Sequence, residues 1–307
     1  IGLVMNRLLL NIAELLIPLL LAPMLLGIIN RVKAFFGGRK GVPTLQLYWD
    51  LIKLVQKGFV YSRTTGWIFR IGPILGLASI LTILLFVPAF TTNSFLSFSG
   101  DILLIVYLLG VIRFFLIISA LDTGSSFEGM GSAREAFFSA LAEPALFLCL
   151  ITWVMISKSY SLEGILLNLN QTIWGEHTVT LGLSCIAFFI IILLEACRIP
   201  FDDPNTHLEL TMIHEVMILD HASLDFAFLL YTGALKLWIL SSILVHVLLP
   251  LNLFSLPVQL ALSTVGVFSI AIIIGLVESS MARLRMNKVH HLLVGAAILS
   301  TLGLILV

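Results

Sequence analysis

Charge is scarce in this sequence. Asp, Glu, Lys and Arg make up 11% of its 307 residues, 59% are hydrophobic, and mean hydropathy is +1.10. A typical soluble domain carries about 25% charge, so this composition excludes a soluble domain of useful size and points to a polytopic membrane protein. Cysteine is also rare. Cys149, Cys185 and Cys197 lie in or beside apolar runs and show no CxxC spacing. They are expected to be buried small hydrophobes, and neither an iron–sulfur cluster nor a structural zinc is expected on this chain. The net charge is zero, which says little about partners; no nucleic acid is expected among them. No internal repeat stands out. The chain opens on Ile1 rather than Met, so a preceding segment is expected, and the first apolar run is too long for a signal peptide.

Long apolar runs are what the sequence has in abundance. A bilayer core takes about 20 residues of helix. Eight runs fit that length, at 8–30, 71–90, 102–121, 136–157, 178–195, 226–250, 258–277 and 291–307. The expected fold is therefore all-α, one integral membrane domain over residues 1–307. Basic residues set the orientation. With eight spans, thirteen of the seventeen basic residues fall on one side, in 31–70, 122–135, 195–225 and 278–290. Those loops are expected to be cytoplasmic, with both termini outside and the chain in the plasma (inner) membrane. Residues 44–57, TLQLYWDLIKLVQK, have helical apolar spacing. This predicts an amphipathic helix at the cytoplasmic interface, and a generic basic surface helix fits the pattern equally well.

The segment 122–135, DTGSSFEGMGSARE, is rich in Gly and Ser and holds Asp122, Glu128, Arg134 and Glu135. It lacks the lysine of a GxxxxGK[ST] phosphate loop and reads as a loop whose backbone must pack closely against something. Glu143 lies inside the fourth span, where a charge costs about 2.5–3.5 kcal/mol on insertion scales. It should face the bundle interior, and Pro144 beside it frees the Ala140 carbonyl to line a polar cavity. Lys236 in the sixth span is a second candidate for the ion path. Glu14 is balanced between function and structure, and His246 reads as a satisfied interfacial residue.

The stretch 198–215, RIPFDDPNTHLELTMIHE, carries seven titratable side chains beside an uncharged run. His214 and Glu215 begin an HExxH pattern, but Ile218 stands where the second His is needed. His207, His214 and His221 recur every seven residues, which places them about 10 Å apart on a continuous helix. Ligands of one zinc ion lie about 2 Å from it, so zinc protease chemistry and a shared metal are excluded. Two readings remain: a proton or ion relay of coupled carboxylates, or a solvated loop salt-bridged to a partner.

The strings GSAREAFFSALAE (131–143) and LLEACRIPFDDPNTHLEL (193–210) resemble the membrane subunit that joins the two arms of respiratory complex I, the NADH dehydrogenase subunit 1 family. Arg134 stands nine residues before Glu143 as in that family, and Glu195, Arg198, Pro200, Phe201, Asp202 and Glu209 match its acidic motif. Quinone-reducing members usually have acids where this chain has Asn205 and His207. GRKGVPTLQLYWDLIKL (38–54), RFFLIISALDTGSSFEGMGSARE (113–135), DDPNTHLELTMIHE (202–215) and ESSMARLR (278–285) are similar instead to the matching subunit of energy-converting (group 4) [NiFe] hydrogenases and formate hydrogenlyase-type complexes.

The resemblance implies a non-catalytic subunit that anchors a cytoplasmic redox module and couples electron transfer to H⁺ or Na⁺ movement. The implied ion path is Glu143, Glu195, Asp202, Asp203, Glu209 and Glu215, with Lys236 added on its membrane depth. Arg134 and Arg198 would hold the carboxylates, with Asp122, Glu128, Glu135, His207 and His214 in support. No cofactor is expected on this chain. The NiFe centre and iron–sulfur clusters would sit in the hydrogenase-type large and small subunits and an iron–sulfur protein. Antiporter-like membrane subunits and the lipid bilayer complete the expected partners. The alternatives are the quinone-binding subunit of a complex I-like NADH:quinone oxidoreductase and an autonomous ion transporter, although paired broken helices are lacking.

Overall fold

A backbone inside a bilayer must satisfy its own N–H and C=O groups, and a helix does so within one segment. Each apolar run accordingly forms a helix in the computed structural model, which describes residues 2–169, 171–202 and 212–307, with side chains other than those at 2–11, 171 and 287. In chain order the helices are α1 (Gly2–Phe36), α2 (Gln46–Gln56), α3 (Trp67–Phe86), α4 (Asp101–Asp122), α5 (Ser126–Ser157) and α6 (Leu162–Asn168). They continue as α7 (Gln171–Glu176), α8 (Thr178–Glu195), α9 (His214–Met217), α10 (Ser223–Leu248), α11 (Leu256–Ser280) and α12 (Met286–Ile305). Eight of them, α1, α3, α4, α5, α8, α10, α11 and α12, are long and apolar enough to cross a membrane. All eight coincide with the runs read from sequence, and no strand occurs among the described residues.

Helix α10 is the axis of the bundle. Its residues Ala234 to Val247 are buried on every face, as expected of a helix that is apolar all round. It packs against α1, α2, α3, α8 and α11, while α3 pairs with α4 and α12 lies against α5 and α8. The predicted amphipathic segment is α2. It rests on α1 and α10 and leaves Trp49, Ile52 and Val55 exposed.

Residues 126–135 are not a loop, as their Gly and Ser content implied; they are the first turns of α5. The close approach is real and lies at Gly131. A Cβ there would overlap Val216 of α9 and stand 2.9 Å from Met217 Cγ and 3.0 Å from the Ile213 carbonyl. Gly131→Ala is expected to displace α9 at a cost of about 1–3 kcal/mol, the range for overpacking. A lowered thermal midpoint of the purified protein is the measurement that checks it.

Three carboxylates hold backbone N–H groups of distant segments. Asp122 Oδ2 accepts from Gly66 and Phe69 at the start of α3, at 2.5 and 3.4 Å. Asp101 Oδ1 accepts from Leu162 at 2.7 Å. Glu14 accepts from Ala89, Phe90 and Thr91 at 2.7–3.0 Å. On the same end, both ring nitrogens of His246 lie against carbonyl oxygens, Ser242 O at 2.7 Å and Thr91 O at 2.9 Å. Glu14 is thus an anchor of the chain after α3. Glu14→Gln can keep at most part of this set, and each charge-assisted bond is worth about 1.5–3 kcal/mol. The expected result is a lower thermal midpoint with ion coupling unchanged.

Candidate functional site

Four of the long apolar helices bring opposite charges into one line. Arg113 of α4 sends Nη2 to Glu143 Oε1 of α5 at 2.8 Å, and its Nη1 stands 3.0 Å from Glu195 Oε1. Glu195 is the last residue of α8, and its other oxygen meets Lys236 Nζ of α10 at 3.4 Å. The order Glu143, Arg113, Glu195, Lys236 alternates in sign and sums to zero. A planar guanidinium suits this place because its fork can address two carboxylates at once. Buried charges persist only when paired, and three of the four side chains are at most 10% exposed. Glu143 differs: its side chain is 43% exposed.

A second group of charges ties the helix ends on the basic side. Asp202 Oδ2 accepts the backbone N–H of Ile213 and His214, and Oδ1 pairs with Arg283 at 3.1 Å. Glu278, at the end of α11, lies between Lys33 at 2.9 Å and Arg198 at 3.5 Å. Arg134 donates to the Met212 carbonyl at 2.9 Å. The turn after α8 and the short α9 are therefore fixed from α1, α5 and α11.

Two cavities flank the ion-pair line. The larger, about 240 Å³, runs between α1, α2 and α10 with an apolar wall of Leu26, Leu47, Leu229 and Leu237. Its charged end presents Glu195, Arg198, Asp202, His214, Glu215 and Lys236. The smaller, about 30 Å³, is bounded by Arg113, Glu135, Thr232, His214 and Lys236. That volume holds about two water molecules. Burial, followed by the nearby Lys236 ammonium, pushes the His214 imidazole down to about 4. His221 is likewise pushed down to about 4 by burial; it stacks on Phe69 at 3.9 Å and meets Ser119 Oγ at 3.2 Å. Burial raises the Cys197 thiol well above its usual range, with Glu135 adding to the effect.

Of the residues singled out in the sequence, Glu143, Glu195 and Lys236 meet in the ion-pair line. Asp202, Glu215, Arg198 and His214 border the larger cavity, and Glu135 the smaller. Asp203, His207 and Glu209, with Asn205, lie outside the described residues. Asp122 and Glu128 are loop anchors: Glu128 Oε1 accepts from Asp220 N at 3.1 Å. The groove at Ala140 and Pro144 is not the polar cavity expected there; Leu141, Val294, Ala297 and Ile298 line it with Thr301. Arg113 is the residue the sequence reading passed over. As a lone arginine inside a span it carried the signal, because such a charge needs a partner. Glu278 and Arg283 were also missed, although both stand in the ESSMARLR string. Among the described residues no three His, Cys, Asp or Glu side chains are grouped to hold a metal ion.

Eight helices long and apolar enough to cross a membrane define a polytopic membrane protein, and four of them share a line of alternating charges. The chain belongs to the NADH dehydrogenase family, whose model matches residues 10–307. It is 30% identical over 286 residues to hydrogenase-4 component C of Escherichia coli (strain K12), covering 91% of this chain and 89% of that protein. Formate hydrogenlyase subunit 4 of the same organism is 31% identical over 279 residues, covering 87% of each. A chain of the membrane-bound sulfane sulfur reductase, an archaeal respiratory membrane complex, superposes with a TM-score of 0.82 over 99% of both chains. At 21% identity that likeness is one of fold.

Proposed function

We propose that this chain is the non-catalytic membrane subunit of a hydrogenase-type, complex I-related redox complex, and that it couples electron transfer to the movement of H⁺ or Na⁺. The observation that carries the reading is the unbroken series from the larger cavity through Lys236, Glu195 and Arg113 to the half-exposed Glu143. Such a series responds as a unit, because a charge added at one end shifts the pairing of every member. A charge change in a redox module seated over the basic loops would enter at the larger cavity, beside Asp202 and Glu215. Glu143, exposed within a spanning helix, would pass the ion to a neighbouring membrane subunit, since lipid offers a carboxylate no partner.

The relatives named for hydrogenase-4 and formate hydrogenlyase support this assignment. In this reading the partners are [NiFe] hydrogenase-type large and small subunits, an iron–sulfur protein and antiporter-like membrane subunits. The NiFe centre and the clusters belong to them, and the basic loops face the cytoplasm across the inner membrane. Purification of the intact complex with nickel, iron and acid-labile sulfide analysis tests the assignment. Co-purification with a nickel-containing large subunit is expected. Saturable inhibition of turnover by a quinone analogue would instead favour the quinone-reducing alternative.

A further inference from the structure

The two cavities have four residues in common: His214, Leu229, Gly233 and Lys236. Leu229 and Gly233 offer no polar side-chain atom, and an ammonium group only donates. A neutral imidazole both donates and accepts, so His214 alone of the four can take a proton on one side and release one on the other. Its main chain is fixed, because Asp202 holds its N–H at 2.9 Å and α9 is seated against α5 at Gly131. His214 thus forms part of the wall between the acids of the larger cavity and Glu135 in the smaller one.

We propose that the His214 imidazole is the proton-passing gate between the two cavities, an active role in the path rather than a support for it. In one passage a carboxylic acid or water in the larger cavity gives its proton to one ring nitrogen. An N–H bond forms there as the donor O–H bond breaks. The opposite N–H then breaks, and its proton goes to the Glu135 carboxylate, directly or through water in the 30 Å³ space. The ring is left neutral as the other tautomer, and rotation about its bonds resets it.

The surroundings explain why this is a gate and not an open wire. Lys236 on α10 lines both cavities with His214, and Asp202, Glu195 and Glu215 line the larger one. Arg113 and Glu135 line the smaller cavity with it. Burial and the Lys236 ammonium favour the neutral imidazole at pH 7. Negative charge arriving in the larger cavity favours the protonated ring, so passage follows the redox event that brings the charge.

This inference rests on the coupling function above, and its test keeps the two separable. The intact complex is reconstituted in sealed vesicles, and ions translocated per electron are measured for His214→Ala, His214→Gln and Glu143→Gln. His214→Ala is expected to lower the ratio by about 10²-fold, the lower range for loss of a positioned acid–base group, while electron transfer continues. Added imidazole, small enough to enter the larger cavity, should restore it. His214→Gln should lose the ratio without rescue, because its side chain keeps the space filled.

A wild-type ratio in His214→Gln overturns the gate, and so does loss in His214→Ala that imidazole leaves unrepaired. If both variants fail to assemble, the ring is a packing element and the gate is overturned. If Glu143→Gln uncouples while His214→Gln does not, the coupling function stands and the gate falls. If neither uncouples, both fall.

Discussion

Arg113→Met should strongly destabilise this subunit and lower the yield of the complex around it. The guanidinium is 5% exposed and pairs with two carboxylates, of which Glu195 is 2% exposed. Removing one partner of a buried pair leaves an uncompensated charge and costs about 3–5 kcal/mol. That is a large share of the stability of most domains, about 5–15 kcal/mol. Lys236 cannot make up the loss, because its single contact to Glu195 is the longest in the line at 3.4 Å. Combining Arg113→Met with Glu143→Gln should recover part of the loss, since one of the two stranded carboxylates is then neutral. Thermal midpoints and complex yield for the two singles and the double give the coupling energy, expected at about 0.5–3 kcal/mol for residues in contact. Strict additivity would show that Arg113 and Glu143 do not form a pair in the assembled complex.

Glu143→Gln should uncouple ion movement from electron flow with almost no effect on assembly. An amide oxygen can still accept from Arg113 Nη2, and the side chain is 43% exposed, so little burial is lost. What disappears is the ability to take up and release a proton, or to hold a cation, at the end of the line. Redox turnover by detergent-solubilised complex is therefore expected within about twofold of wild type, while gradient formation falls by about ten-fold or more. Equal loss of both activities would place Glu143 in the support of the redox module and not at the exit of an ion path.

The spans were legible because nothing but a helix of about 20 apolar residues satisfies a backbone in hydrocarbon. The start of α5 was not, because Gly129, Gly131 and Ser132 weaken the local helical signal while contact with α9 stabilises the helix. Glu143 and Lys236 could be flagged one at a time from their depth. Their connection through Arg113 and Glu195 could not, since spacing along a helix says nothing about which side chain faces it from another helix. The acids of the loops were ambiguous for a related reason. Asp122 and Glu128 bind backbone N–H groups of distant segments, and a backbone partner leaves no mark in the sequence. His214 was noticed as half of an incomplete zinc motif. Its place on the wall shared by two cavities depends on Asp202 and Gly131, twelve and eighty-three positions away in the chain.

The ratio of ions translocated to electrons transferred, measured on the intact complex in sealed vesicles, tests the ion-pair line most directly. Wild type should sustain a fixed ratio. Glu143→Gln should continue electron transfer with that ratio reduced about ten-fold or more. An unchanged ratio in a fully assembled Glu143→Gln complex would contradict the assignment of the line Glu143, Arg113, Glu195 and Lys236 as the coupling path.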